Sequence, residues 1–150
     1  MKKLAALAFG ILLLASCEKK KLKIPTIDPP PDPVPSLYDC HMGTIWNDSL
    51  TQSNLLGDWM MTKIYNPWLG LMPAENVMLS FIDDSTLVVT QDTIITNQRY
   101  HLELIDSNIY SIVTDSFNMY TNGRLMFCAD SMECSNSFVD GLDYFYLKIK

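Results

Sequence analysis

Thiols, imidazoles and carboxylates are the groups in this chain whose types and spacing can carry chemistry. Cysteines stand at positions 17, 40, 128 and 134. Cys128 and Cys134 enclose the short stretch Ala129–Glu133, and a disulfide between neighbouring strands would staple it. Cys40 is then free, or it pairs with one of the other two and pins the segment before it; three thiols cannot all pair within one molecule. The histidines are His41 and His101, with no Cys-x-x-Cys or His-x-x-x-His spacing, so no zinc set is expected. His41 adjoins Cys40, but neighbours on an extended chain point apart, and His101 between Tyr100 and Leu102 faces out from a strand. There is no Gly-x-Ser-x-Gly elbow and no glycine-rich phosphate loop. Asp83-Asp84 and Asp130-x-x-Glu133 crowd carboxylates as a calcium site would. Aspartates also bond locally to the backbone in turns, and turns are expected at both places. The expectation is a protein that is not an enzyme and that takes no cofactor or metal.

Cys17 has a different context. Lys2 and Lys3 precede an uncharged apolar run from Leu4 to Leu14, about eleven residues. That suits the core of a signal peptide and is shorter than the roughly 20 residues a membrane-spanning helix needs. The run ends in Leu14-Ala15-Ser16-Cys17, which resembles the lipobox of bacterial lipoproteins. The resemblance implies cleavage before Cys17, a diacylglycerol group on its thiol and acylation of the freed amine. Two or three acyl chains hold a protein stably on a bilayer, each buried methylene contributing about 0.8 kcal/mol. The expected location is the cell envelope, on the outer rather than the inner membrane, an association that comes with this type of lipoprotein.

Beyond the lipid site come Glu18, Lys19, Lys20, Lys21 and Lys23, a basic stretch suited to anionic headgroups. Six of the chain's eight prolines then fall between Pro25 and Pro35. Proline fixes φ and removes the amide donor, so this segment reads as an extended spacer with a reach of roughly 30 Å at about 3.1 Å per residue. The expected organisation is a signal peptide over 1–16, a lipidated tether over 17–36 and one domain over 37–150. That domain has Lys63, Arg99, Arg124, Lys148 and Lys150 against fourteen acidic residues, so its net charge is near −9. Such an acidic surface excludes nucleic acid as a partner.

Strands must position whatever the domain binds. Short apolar and β-branched runs cover Trp59–Tyr65, Asn76–Ile82, Thr86–Thr90, Arg99–Ile105, Ile109–Val113, Phe117–Tyr120, Leu125–Ala129 and Tyr144–Ile149. Turn residues separate them, Asn122-Gly123 among them. No helical crossover interrupts the series, so an all-β antiparallel meander of about eight strands is predicted. One short helix fits Gln52–Leu56, capped by Thr51 and ended by Gly57. Alternation places Val77, Leu79 and Phe81 on one apolar face, with Tyr100, Leu102 and Leu104, and with Phe145, Leu147 and Ile149. The opposite face is also partly apolar, and the segment Leu37–Leu50 is a candidate to cover it.

Leu55-Leu56-Gly57-Asp58-Trp59, a helix running into Gly-x-Trp at the first strand, resembles the opening of lipocalin-like domains. With the meander and the final strand, the chain resembles small lipocalin-like lipoproteins of bacterial envelopes. The resemblance implies a small up-and-down barrel, with Gly57 and Trp59 closing one end and Arg124 or Lys148 laid over the indole. It also implies a pocket for a small apolar or amphipathic ligand, lined by Val77, Leu79, Phe81, Leu102, Leu104, Phe145 and Leu147. The alternative is a barrel with a solid core that docks on an envelope protein partner through its outside. The triplets beginning at Asp48, Asp84, Asp92 and Asp130 are similar to O-glycan acceptor sites of some envelope proteins, and Ser49, Ser85, Thr93 or Ser131 would carry the sugar.

Overall fold

The computed structural model describes residues 36–149. The expectations for the signal peptide, Cys17 and the tether lie outside those residues.

Two short helices open the domain, α1 (Leu37–Met42) and α2 (Asp48–Leu55). Nine strands follow: β1 (Gly57–Asn66), β2 (Gly70–Pro73), β3 (Val77–Phe81), β4 (Thr86–Gln91), β5 (Ile94–Asp106), β6 (Ile109–Thr114), β7 (Arg124–Cys128), β8 (Ser131–Ser135) and β9 (Asp143–Lys148). Every pairing is antiparallel, and β1 also pairs with β9. Eight strands therefore close into a barrel, with β2 a short flap on the second half of β1. The predicted all-β antiparallel meander is the fold observed.

Several boundaries differ from the sequence reading. The run Phe117–Tyr120 is not a strand; it lies in the β6–β7 loop. The eighth barrel strand is instead β8, whose Ser-Met-Glu-Cys-Ser has only two apolar side chains, Met132 and Cys134, both facing inward. α2 begins at Asp48, one turn before the predicted start, because the Asn47 side chain accepts from the Leu50 amide and caps it there. Thr51, predicted as the cap, is 1% exposed inside the helix, and its hydroxyl has no partner among the described residues.

The interior is continuous and full. Trp59, Val77, Leu79, Leu87, Met132 and Cys134 are each 0% exposed, and Tyr144 and Tyr146 pack with them. A bulge between Met61 and Lys63 shifts the register of β1 against β9, so that Met61 and Ile64 both point inward. On β9 the predicted orientation is reversed. Tyr144 and Tyr146 face the core, whereas Phe145 lies outside and Leu147 is 47% exposed. Both faces of that strand are apolar, so alternation alone does not say which one turns inward.

Candidate functional site

One end of the barrel is shut by α2 and Trp59. Gly57 has φ 115°, a left-handed conformation that glycine adopts without a Cβ clash, and it turns the chain from helix into strand. Trp59 Nε1 donates to the Leu55 carbonyl at 2.7 Å. The cation above the indole is Lys148, its Nζ 5.0 Å from the ring centroid and donating to the Asn54 carbonyl at 2.6 Å. Arg124, the other candidate, sits over the Phe138 ring at 4.2 Å.

The opposite end is covered by the β6–β7 loop. Asn118 Nδ2 donates to Gln98 Oε1 at 2.8 Å, and Gln98 Nε2 donates to Ser116 Oγ at 2.8 Å. The Tyr120 hydroxyl donates to Glu75 at 2.9 Å, while Tyr146 donates to the Tyr120 carbonyl at 2.7 Å. Burial and the Glu75 carboxylate push the Tyr120 phenol up to about 12, which keeps this proton in place. Between loop and strands remains an open hollow of about 290 Å³, lined by Val89, Gln98 and Phe117 among others.

The residues predicted to line one pocket do not share one. Val77, Leu79 and Phe81 are 0–2% exposed and fill the barrel. Leu102 packs against the edge of that core. Leu104 is 55% exposed, because β5 continues past the end of the core. Phe145 and Leu147 are on the outer wall of β9 for the reason given above.

The predicted Cys128–Cys134 disulfide is corrected by the β7–β8 register. Cys128 pairs with Ser131 and Leu125 with Cys134, so the two thiols point to opposite faces of the sheet. Cys40 is bonded to Cys128, and Cys134 is a buried free thiol. The bond holds α1 against the outside of β7. His41, next in sequence, is 2% exposed and fully engaged: Nδ1 accepts from the Phe127 amide and Nε2 faces the Asn108 carbonyl, both at 3.0 Å. Trp46 stacks on the imidazole at 5.0 Å and donates to the His41 carbonyl. The segment over Leu37–Leu50 thus covers this side of the barrel. His101 is exposed on β5.

A cleft of about 790 Å³ opens on the outer wall of β7, β8, β9 and β1, with α1 at its lip. Glu133 lies on its floor, 8% exposed, with its carboxyl pushed up to about 7 by burial and by nearby Asp143. Lys63 and Arg124 also border the cleft, as do Phe145 and Phe138. The sequence signal here was Asp130-x-x-Glu133, read as a turn; the turn is Ala129-Asp130, and Glu133 belongs to a strand. Asp83 does serve a turn, accepting from Ser85 and Thr86, and these bonds hold its carboxyl below the usual range. Of the candidate glycan hydroxyls, Ser49 and Thr93 are exposed, Ser85 donates to Asp83 at 3.1 Å, and Ser131 lines the cleft. Comparisons with protein families, with curated proteins and with solved structures find no match to this chain.

Proposed function

We propose that this chain is a lipid-anchored envelope protein whose barrel is a non-catalytic interaction module working through its outer surface. The observation that carries the reading is the filled interior. A carrier of apolar molecules needs an enclosed space of roughly 300–1,000 Å³. Here that space is taken by Trp59, Leu79, Met132, Tyr146 and their neighbours, and the hollow at the mouth is open and small. Anchoring rests on the Leu-Ala-Ser-Cys sequence at 14–17, and the proline-rich tether would let the domain reach a partner held off the membrane. Outer-membrane residence and O-glycosylation belong to the same proposal.

Native mass spectrometry of the full lipoprotein, purified from its own envelope in neutral detergent, tests this. The expected mass is that of the acylated polypeptide, with or without sugar, and with no small molecule lost on organic extraction. A stoichiometric small molecule removed by extraction would overturn the interaction reading and restore the carrier. Cys17→Ser is expected to move the protein from the membrane fraction to the soluble one; retention on the membrane would sink the anchor.

A further inference from the structure

The cleft on the outer wall has a floor that the barrel itself leaves unanswered. Glu133 points outward from β8, opposite in direction to Met132 and Cys134, and is still more than nine-tenths buried. Four elements surround it with charged or titratable groups: Arg124 from β7, Asp143 from β9, Lys63 from β1 and Tyr38 from α1. The nearby donors serve Asp143. Its Oδ1 accepts from Ser135 Oγ at 2.9 Å and from the amides of Asn136 and Ser137 at 2.7 and 2.8 Å.

The two cations of the cleft each lie over an aromatic ring. Lys63 Nζ lies 4.4 Å from the centroid of the Phe145 ring, and Arg124 lies over Phe138. Burial and Asp143 raise the Glu133 carboxyl, with lesser relief from Ser135 and Lys63. Among the described residues, then, Ser135 and Lys63 offset only part of the cost of a carboxylate that is buried yet open to a cleft. Leaving such a charge only partly offset is costly, and a further cation from outside lowers the cost. The acidic domain attracts cations at long range, and Phe145 and Met126, which both border the cleft, offer apolar ground for an alkyl stem.

We propose that this cleft docks a lysine-bearing segment of a partner protein, whose ammonium pairs with the Glu133 carboxylate. The inference deepens the interaction reading and rests on it. Lys63 and Arg124 at the rim repel a second cation, so the segment carries isolated lysines among uncharged residues.

The test is fluorescence anisotropy of a labelled Gly-Lys-Gly-Lys-Gly peptide with the full lipoprotein in neutral detergent. Binding is expected to tighten from pH 6 to pH 8 as Glu133 ionises, and the glutamate counterpart of the peptide is expected not to bind. Glu133→Gln should weaken binding about tenfold or more, the loss of one charge-assisted hydrogen bond. Thr62→Arg, which fills the cleft from its exposed edge and leaves Glu133 intact, should do the same. Asp115→Asn, an equal charge change on a loop outside the cleft, should leave binding unchanged.

Absence of binding to the unaltered protein overturns the proposal. So does equal loss in Asp115→Asn, which would mean attraction to net charge alone. Displacement of the peptide by an equal or lower concentration of free spermidine would assign the cleft to small amines. The interaction reading is tested separately: an envelope partner that still cross-links to the Thr62→Arg protein keeps that reading and removes this site.

Discussion

Breaking the Cys40–Cys128 bond is the perturbation whose size the structure fixes best. The two residues are 88 positions apart, so the bond closes most of the domain into one loop. Loop-closure entropy for a ring of that length corresponds to about 4–5 kcal/mol, and natural disulfides usually deliver about 2–4 kcal/mol of it. There is a local effect as well. α1 has six residues, too few to hold as a helix without tertiary contacts. Once released, it withdraws His41 from Phe127 and uncovers the Trp46 stack. We expect Cys40→Ser to lower the unfolding free energy of the full chain by about 3 kcal/mol. In urea, with a slope of about 1–3 kcal/mol per M, the midpoint falls by about 1–3 M. Tryptophan fluorescence reads it, with and without reductant. Reductant should shift the unaltered protein and leave Cys40→Ser unmoved, whereas Cys134→Ala should remain sensitive. A peptide map linking Cys128 to Cys134, or reductant sensitivity abolished by Cys134→Ala, would refute the assignment.

Three further outcomes are expected. Leu79→Ala should cost about 2–5 kcal/mol, because a side chain 0% exposed leaves a cavity, while Leu104→Ala at 55% exposure should cost about 0.5 kcal/mol or less; similar costs in denaturant unfolding would contradict the placement of the core. Burial lowers the His41 pKa below its ordinary 6.5, so the unfolded chain takes up that proton first. This contribution is complete above about pH 6.5 and is lost as pH falls from there toward the folded value. Glu133, raised to about 7, acts in the opposite sense, losing stability as pH rises from about 4.5 to 7. The histidine is therefore read in a Glu133→Gln background, where adding His41→Gln should flatten unfolding free energy between pH 7 and pH 5.5; an unchanged slope would rule out the imidazole as its source. Lys148→Met removes the hydrogen bond to Asn54 and the cation over Trp59, at about 1–2 kcal/mol, and should shift the Trp59 indole proton resonance. An unmoved resonance would show that the lysine does not sit there.

The class of fold was legible in the sequence because turn residues and strand runs act locally. Asp83-Asp84-Ser85 and Asp106-Ser107-Asn108 break the chain wherever they fall, and the apolar runs between them are too short and too β-branched for helices. Gly57 and Trp59 were legible through the resemblance to lipocalin-like openings, and the left-handed turn at Gly57 and the buried indole agree with the end-closing role it implies. β8 was not legible: its period-2 pattern rests on Met132 and Cys134 alone, and a five-residue polar strand exists because β7 and β9 flank it with hydrogen-bonding edges. The orientation of β9 was hidden because both of its faces are apolar.

The candidate site divides along the same line. The proposed export signal up to Cys17 is a linear pattern, so whatever it encodes lies in the sequence. The disulfide partner of Cys40, the cover formed by His41 and Trp46, and the cleft around Glu133 join residues as far apart as positions 36 and 146. No local pattern encodes such meetings. Closure of the barrel through the β1–β9 pairing brings Lys63 and Phe145 beside Glu133, and the pleat decides that Glu133 turns outward while Cys134 turns in. The sequence by itself determined the antiparallel all-β class, most of the strands and the turns between them. Only the tertiary structure decided which faces filled the core, and therefore that the barrel is solid and its open ground lies on the outer wall.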